Sequence, residues 1–261
     1  MHDIAFVLAG FFVGFVVGLT GVGGGSLMTP LLIFVVGMKP HLAIGTDLLF
    51  AAFTKMGGSF ALARARVIDW PVVLLMACGS IPASLATLYV LHRVGPADPA
   101  VQTMMTTTLG AALLLTAAAT LYKAVLGKAA PRQAEVSAAD TRPRHKALPV
   151  LFGAVIGALV TLTSVGAGAI GVIVLMLLYP ALPLPRIVAA DIAHAVPLTL
   201  VAGLGHASIG SVEWALLAKL LLGSLPGIWI GSQLMRKTPE RLIRSLLSLL
   251  LAYAGTKLIA L

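Results

Sequence analysis

The chain has 261 residues, 59% of them hydrophobic and only 10% charged, with a mean hydropathy of +1.03. A soluble domain carries about 25% charged residues, so this composition excludes an ordinary water-facing surface and points to helices solvated by lipid. The 18 Lys and Arg against 9 Asp and Glu leave a net charge of +9, but the basic residues fall between apolar runs, as in cytoplasmic loops and unlike a nucleic-acid groove.

The start, MHDIAFVLAGFF, has no Lys or Arg before its apolar run and no small-residue cleavage site. It is expected to remain as a first helix and not to be a signal peptide. Residues 4–37 form one apolar stretch interrupted by GLTGVGGGS at 18–26. As a single straight helix that stretch would be ~50 Å long, well beyond a hydrocarbon core of ~30 Å. Plain spanning candidates follow at 42–63, 71–91 and 101–121, each near the ~20 residues a bilayer needs. Residues 122–147 are a polar linker with six basic and two acidic residues, expected to be a flexible cytoplasmic loop. A second apolar stretch, 148–179, is interrupted by TLTSVGAGA at 161–169, and further candidates lie at 188–208, 214–234 and 240–260. Glycine inside a helix costs ~1 kcal/mol against Ala, so two such clusters in the most apolar parts of the chain require a reason. Cys78 is the only cysteine, which excludes an internal disulfide or a Cys cluster, and it is expected to be a small buried core residue.

The chain is a duplicated unit. Leu19, Thr20, Val22, Gly23 and Gly25 recur as Leu162, Thr163, Val165, Gly166 and Gly168, an offset of 143. After one inserted residue the offset is 144: Asp47 falls on Asp191, IDW at 68–70 on VEW at 212–214, and GSIP at 79–82 on GSLP at 223–226. Gly, Asp, Trp and Pro do not recur in register through apolar bias. The two repeats are therefore 1–121 and 148–261, and internal symmetry of this kind marks secondary transporters.

Loop charges choose between two topologies. If each broken segment crosses once, basic residues divide nine to seven. If each folds back as a hairpin, Arg64, Arg66, the six linker residues, Arg186, Arg236, Lys237, Arg241 and Arg244 share one side, and Lys39, Arg93 and Lys257 lie on the other. The positive-inside rule selects the hairpins. A hairpin plus three spans is an odd number of crossings, so the expected fold is all-α and integral to the membrane, in two inverted repeats with both termini periplasmic and the linker cytoplasmic.

The glycine-rich tips can then approach each other near the midplane. Irregular backbone at that depth is tolerated only when it is buried in protein or lines a cavity, and the helices starting near Ser26 and Ala169 point their free N–H groups at the tips. Two helix N-termini are a site for an anion. The candidate binding residues are Thr20, Gly21, Val22, Gly23, Gly24, Gly25 and Ser26 in the first tip, and Thr163, Ser164, Val165, Gly166, Ala167 and Gly168 in the second. Gly10, Gly14 and Gly18 read instead as a packing ridge. A charge within a span costs at least ~2.5–3.5 kcal/mol, so each such residue needs a role. Lys55 is assigned to compensate an anionic substrate. Asp47, Asp191 and His194 are candidates for proton or cation coupling, with helix-start electrostatics and core packing as the alternatives. Lys219 is expected to snorkel, and His206 and Glu213 read as end-of-span residues. Pro82 and Pro226, mid-span at equivalent positions, are hinge candidates.

With its two LT-V-G-G tips, Asp-Trp and Glu-Trp, and GSLPGIWIGSQL at 223–234, the chain resembles the TauE/SafE family of sulfite and organosulfonate transporters over its whole length. In the first repeat Ala83 and Thr87 stand where Gly227 and Gly231 stand in the second, so close helix packing is less expected there. The resemblance implies a multi-pass inner-membrane protein that moves small sulfur oxyanions, usually outward; the residues themselves imply only an anion. The partners expected are a small anionic substrate and the lipid bilayer, with no nucleic acid and no cofactor. No Gly-x-Ser-x-Gly elbow, HExxH pattern or nucleotide motif argues for an enzyme or for ATP drive. An anion channel and a non-transport membrane assembly protein are the alternatives.

Overall fold

The computed structural model describes residues 2–20, 25–126, 147–166, 168–234 and 240–260. The candidate binding residues Gly21, Val22, Gly23, Gly24 and Ala167, and almost all of the linker, lie outside them. The described residues are helical, without strands: α1 (His2–Thr20), α2 (Gly25–Phe34), α3 (Pro40–Arg64), α4 (Trp70–Val94), α5 (Pro99–Leu126), α6 (Ala147–Thr163), α7 (Ala169–Leu178), α8 (Leu184–Ser208), α9 (Trp214–Leu234) and α10 (Glu240–Ile259). Four stretches among the described residues are long and apolar enough to cross a membrane, namely Trp70–Val94, Pro99–Leu121, Leu184–Ser208 and Trp214–Leu234. α3 has the length but carries Asp47 and Lys55. The second glycine cluster divides its apolar stretch into the long α6 and the short α7, and α1 and α2 are the described helices on either side of the first. α2 and α7 have 10 residues each, a rise of ~15 Å, half of a hydrocarbon core.

Packing repeats along with the sequence. α1 lies along α9 with backbones in contact: a methyl group on Gly10 would strike the Leu220 backbone, one on Gly14 the Ser224 backbone, and one on Gly18 the Ile228 carbonyl. α6 lies along α4 in the same way, Gly153 against Met76 and Gly157 against Ser80. Gly223 meets Val7 and Gly79 meets Val150, again at matching positions. Small residues let membrane helices approach until van der Waals contact replaces the missing hydrophobic drive. Residue numbers rise together in both pairs, so the partners run parallel. Gly79, Gly153 and Gly157 bring α4 and α6 equally close, but Gly227 and Gly231 continue the α9 contact onto Phe11 and Phe15 of α1 where α4 has Ala83 and Thr87, so the α4–α6 contact is the less extensive, as expected.

The central helices run oppositely. Gly45 of α3 abuts the Ser211 carbonyl and the Cβ of His206, whereas Gly203 of α8 abuts Leu49. α3 and α8, which are repeat-equivalent, are therefore antiparallel. In α5 and α10 Gly110 meets Ile259 and Leu114 meets Gly255, the same reversal. Large apolar side chains such as Leu8, Phe12, Leu85, Leu222, Trp229 and Tyr253 are exposed on the outside, as lipid-facing residues are. Cys78 is among the exposed residues, contrary to the core position expected of it. The buried stripe of α4 passes through Met76, Gly79, Ser80 and Ser84, and Cys78 sits to the side of it.

Candidate functional site

The second tip is held by its own hydroxyls and by unusual backbone angles. α6 ends where the Thr163 hydroxyl, 2.7 Å from the Leu159 carbonyl, accepts the Val165 N–H at 3.1 Å. Ser164 adopts φ +59°, and Gly166 and Gly168 adopt φ +130° and +133°, conformations open mainly to glycine. The Gly171 N–H then bonds the Gly166 carbonyl at 3.0 Å and α7 begins. A non-glycine residue at positive φ is strained and persists where its surroundings fix it. Here the result is a Ser164 side chain that is buried and has no hydrogen-bond partner.

What faces that tip comes from the other repeat. Asp47 of α3 is fully buried and accepts a hydrogen bond from Thr29 of α2, and its second carboxylate oxygen has no partner. Ser164 lies beside it. Asp191, on α8, packs one oxygen so closely on Gly171 that any side chain there would have to displace its carboxylate. A carboxylate at the first turn of α7 is stabilised by the helix dipole. Lys55 stands in the field of both Asp47 and Asp191, and His194 lies within reach of Lys55 while its Nε2 meets the Ser80 hydroxyl at 2.7 Å. The structure thus brings together Ser164, Asp47, Lys55, Asp191 and His194 from α3, α8 and the second hairpin.

Other residues singled out from the sequence are placed as follows. Ser26 is buried at the start of α2, and Leu27 of α2 and Val165 of the second tip both border the core cluster built on α5 and α10. Lys219 forms an ion pair with Asp3 of α1. Pro82 and Pro226 lie inside continuous helices, α4 and α9. Glu213 is exposed at the end of the bundle, its N–H on the Thr46 hydroxyl at 3.0 Å. His206 does lie near a helix end, but it is fully buried, with Nε2 2.9 Å from the Thr161 carbonyl. Sequence reasoning missed Thr29, Ser80, Ser84 and Thr161, all of them fully buried. Hydroxyls inside apolar helices give a weak signal because they can bond their own i−4 carbonyl, as Thr161 does with Gly157 at 2.7 Å. The four-residue spacing of Ser80 and Ser84 was the available cue.

A family description, sulfite exporter TauE/SafE, matches residues 6–258 of the chain. The chain is 37% identical over 258 residues to the probable membrane transporter protein YjnA of Bacillus subtilis (strain 168), covering 98% of this chain and 100% of the relative. It is 26% identical to the probable membrane transporter protein YdhB of the same organism, covering 97% and 98%, and 26% identical to YunE, likewise a probable membrane transporter protein, covering 99% and 98%. No solved structure matches the chain at a comparable level of significance.

Proposed function

The chain belongs to the sulfite exporter TauE/SafE family, and from that premise we propose that it is a secondary transporter of small anions, sulfite or an organosulfonate, working as an exporter. One observation carries the reading. A strained, glycine-built tip from the second repeat meets Asp47 and Lys55 from the first, with Asp191 beside them. Irregular backbone and ionisable side chains at membrane depth belong where a solute passes.

The charges suggest how an anion is accepted. Two carboxylates and one ammonium leave the cluster one negative charge in excess while all three are ionised. Adding an anion would bury a second, and uncompensated buried charge is expensive. The substrate therefore binds as a proton settles on Asp47, Asp191 or His194, and its negative oxygens take over Lys55 and the first-turn amides of α7. Coupling to protons follows from that exchange. The antiparallel course of α3 and α8, set against the parallel contacts of α1 with α9 and α4 with α6, supports the inverted-repeat arrangement; the loop charges support periplasmic termini and a cytoplasmic linker in the inner membrane. The first tip, from Thr20 to Gly25, would complete the site from the opposite side.

Purified protein in vesicles should move radiolabelled sulfite, faster with a pH gradient than without. A chain that inserts correctly and moves neither sulfite nor an organosulfonate would sink this reading. Reporter fusions after Ala130 and Glu240 should report cytoplasm, and one after Pro96 periplasm. A periplasmic linker would overturn the topology.

A further inference from the structure

One seam of the molecule is threaded with polar groups that the anion site does not use. It lies where α4, α6 and α8 meet. At the end of the bundle, His41, His206 and Ser211 are buried, and His41 Nδ1, His206 Nδ1 and Ser211 Oγ all lack a hydrogen-bond partner. His206 and Ser211 meet at Gly45, where a methyl group would strike the Ser211 carbonyl and the His206 Cβ, and His41, one turn earlier on α3, stands in the field of His206. Gly210, at φ +71°, turns the chain out of α8 so that the Ser211 N–H returns to the His206 carbonyl at 2.9 Å. Exposed Lys39 and Glu213 border this cluster. Further in, His206 Nε2 donates to the Thr161 carbonyl at 2.9 Å, and the Thr161 hydroxyl bonds Ser84 Oγ at 2.7 Å. Ser80 is one turn along α4 from Ser84, and its hydroxyl is 2.7 Å from His194 Nε2. His194 faces Lys55, which faces Asp191 and Asp47. His206 and His194 are twelve positions apart on α8, a rise of ~18 Å.

Taking the transport reading above as premise, we propose that this seam is the route by which protons reach the anion site from the end of the bundle that carries His41 and His206. Buried polar groups require partners, and where the protein supplies none, water does. The three unpartnered atoms at the rim and the hydroxyls behind them are the groups that such waters would join. A proton accepted at the bare Nδ1 of His206 or His41 makes an imidazolium. The His206 imidazolium then gives up its Nε2 proton to a water beside the Thr161 carbonyl, which accepts a hydrogen bond but passes no proton on; each water or hydroxyl beyond it accepts one proton and releases another, and the transfer ends on His194 or on the Asp191 carboxylate beside it. Only N–H and O–H bonds are made and broken.

The groups facing the two imidazoles are few. α3 presents His41, Asp47 and Lys55, and α8 itself adds Asp191. Among the described residues, α4 and α6 present Ser80, Ser84 and Thr161. Near His41 stand Lys39 and Gln102, and Tyr179, which follows α7, pairs its field with Asp69 instead. Histidine is the side chain that changes charge near neutral pH, and there is one at each end of the thread.

The test compares wild type with His206→Gln and Ser84→Ala in proteoliposomes. Glutamine keeps a donor for the Thr161 carbonyl but cannot titrate. Sulfite–sulfite exchange at equal pH reports the anion site, and pH-gradient-driven sulfite flux with a trapped pH dye reports the proton route. His206→Gln is expected to keep exchange within twofold while gradient-driven flux and dye response fall at least tenfold, and Ser84→Ala is expected to lower the dye response about threefold. Gradient-driven flux unchanged in both variants overturns the proposal. So does a parallel loss of exchange and driven flux in folded His206→Gln protein, since that places His206 in the anion site. If wild type does not exchange sulfite, the transport reading falls by itself. The route is then read from proton leak under a valinomycin-clamped potential, where equal leak through wild type and His206→Gln overturns it.

Discussion

Where α1 lies along α9, and where α6 lies along α4, glycines bring the backbones together at corresponding residues: Gly10 with Leu220 and Gly153 with Met76, Gly14 with Ser224 and Gly157 with Ser80. What fills the space beside them is different. The offset of 143 or 144 places Gly18 opposite Thr161, Phe50 opposite His194, Leu62 opposite His206 and Ile228 opposite Ser84. Of the polar thread only Ser80 has a polar counterpart, Ser224. At those two pairs of positions the backbones leave room for nothing larger than glycine, and both copies keep it; at the ends of the contacts, where Gly18, Gly227 and Gly231 stand opposite Thr161, Ala83 and Thr87, they do not. Side chains one layer away are free to diverge, and one copy has become polar while the other has stayed apolar. A duplicated fold can in this way hold one seam dry and give the other to chemistry.

The shared part of the comparison should break first and hardest. Gly157→Leu and Gly14→Leu each push a side chain into the backbone of a neighbouring helix, Ser80 or Ser224. Ordinary overpacking costs ~1–3 kcal/mol, and the cost here should exceed that, because backbone cannot rotate aside. Neither variant should give monodisperse protein on size exclusion in detergent. If one seam tolerates leucine and the other does not, the equivalence fails.

The second contrast sets Lys55 against its repeat counterpart Thr199. Thr199 is buried and bonds the Ala195 carbonyl of its own helix at 2.8 Å, so Thr199→Val should cost ~1 kcal/mol and leave flux nearly intact. Lys55→Met leaves Asp47 and Asp191 without the cation whose field both share. Removing one partner of a buried charge group costs ~3–5 kcal/mol, and sulfite flux should fall by two orders of magnitude or more. Equal flux in the two variants would separate Lys55 from the substrate.

The tips come next. Gly166→Leu places a side chain at φ +130°, a backbone angle that L residues avoid, beside Val160 and Leu159. It should abolish flux while membrane insertion is retained, and so should Gly24→Leu in the first tip. Normal flux in both would remove the tips from the mechanism.

These variants also show what could be read from the chain alone. The second break was legible because a glycine cluster in an apolar run is costly, and α7 starts at Ala169, the expected place. Asp47 and Lys55 stood out because charge is costly in lipid. The seam did not stand out. Ser80, Ser84 and Thr161 are unremarkable in helices that bond their hydroxyls locally, and His206 looked like a terminal residue until α3 was laid over it. Cys78 was misjudged for a related reason: lipid accepts as apolar what water would drive inward, so burial in a membrane protein cannot be inferred from hydrophobicity.

The smallest expected effect sharpens the comparison most, because it sets the one polar position that both seams share against itself. Ser224 Oγ reaches only the Leu221 carbonyl of its own helix, at 3.4 Å. Ser80 Oγ holds His194 at 2.7 Å, across to α8. Ser224→Ala should therefore change stability by no more than ~0.5 kcal/mol, whereas Ser80→Ala leaves a buried imidazole nitrogen unsatisfied, at ~1–3 kcal/mol. Thermal unfolding in detergent, followed by circular dichroism, separates the two. If both serines prove equally dispensable, Ser80 is packing like its counterpart, His194 does not depend on it, and the asymmetry between the seams is one of composition without consequence.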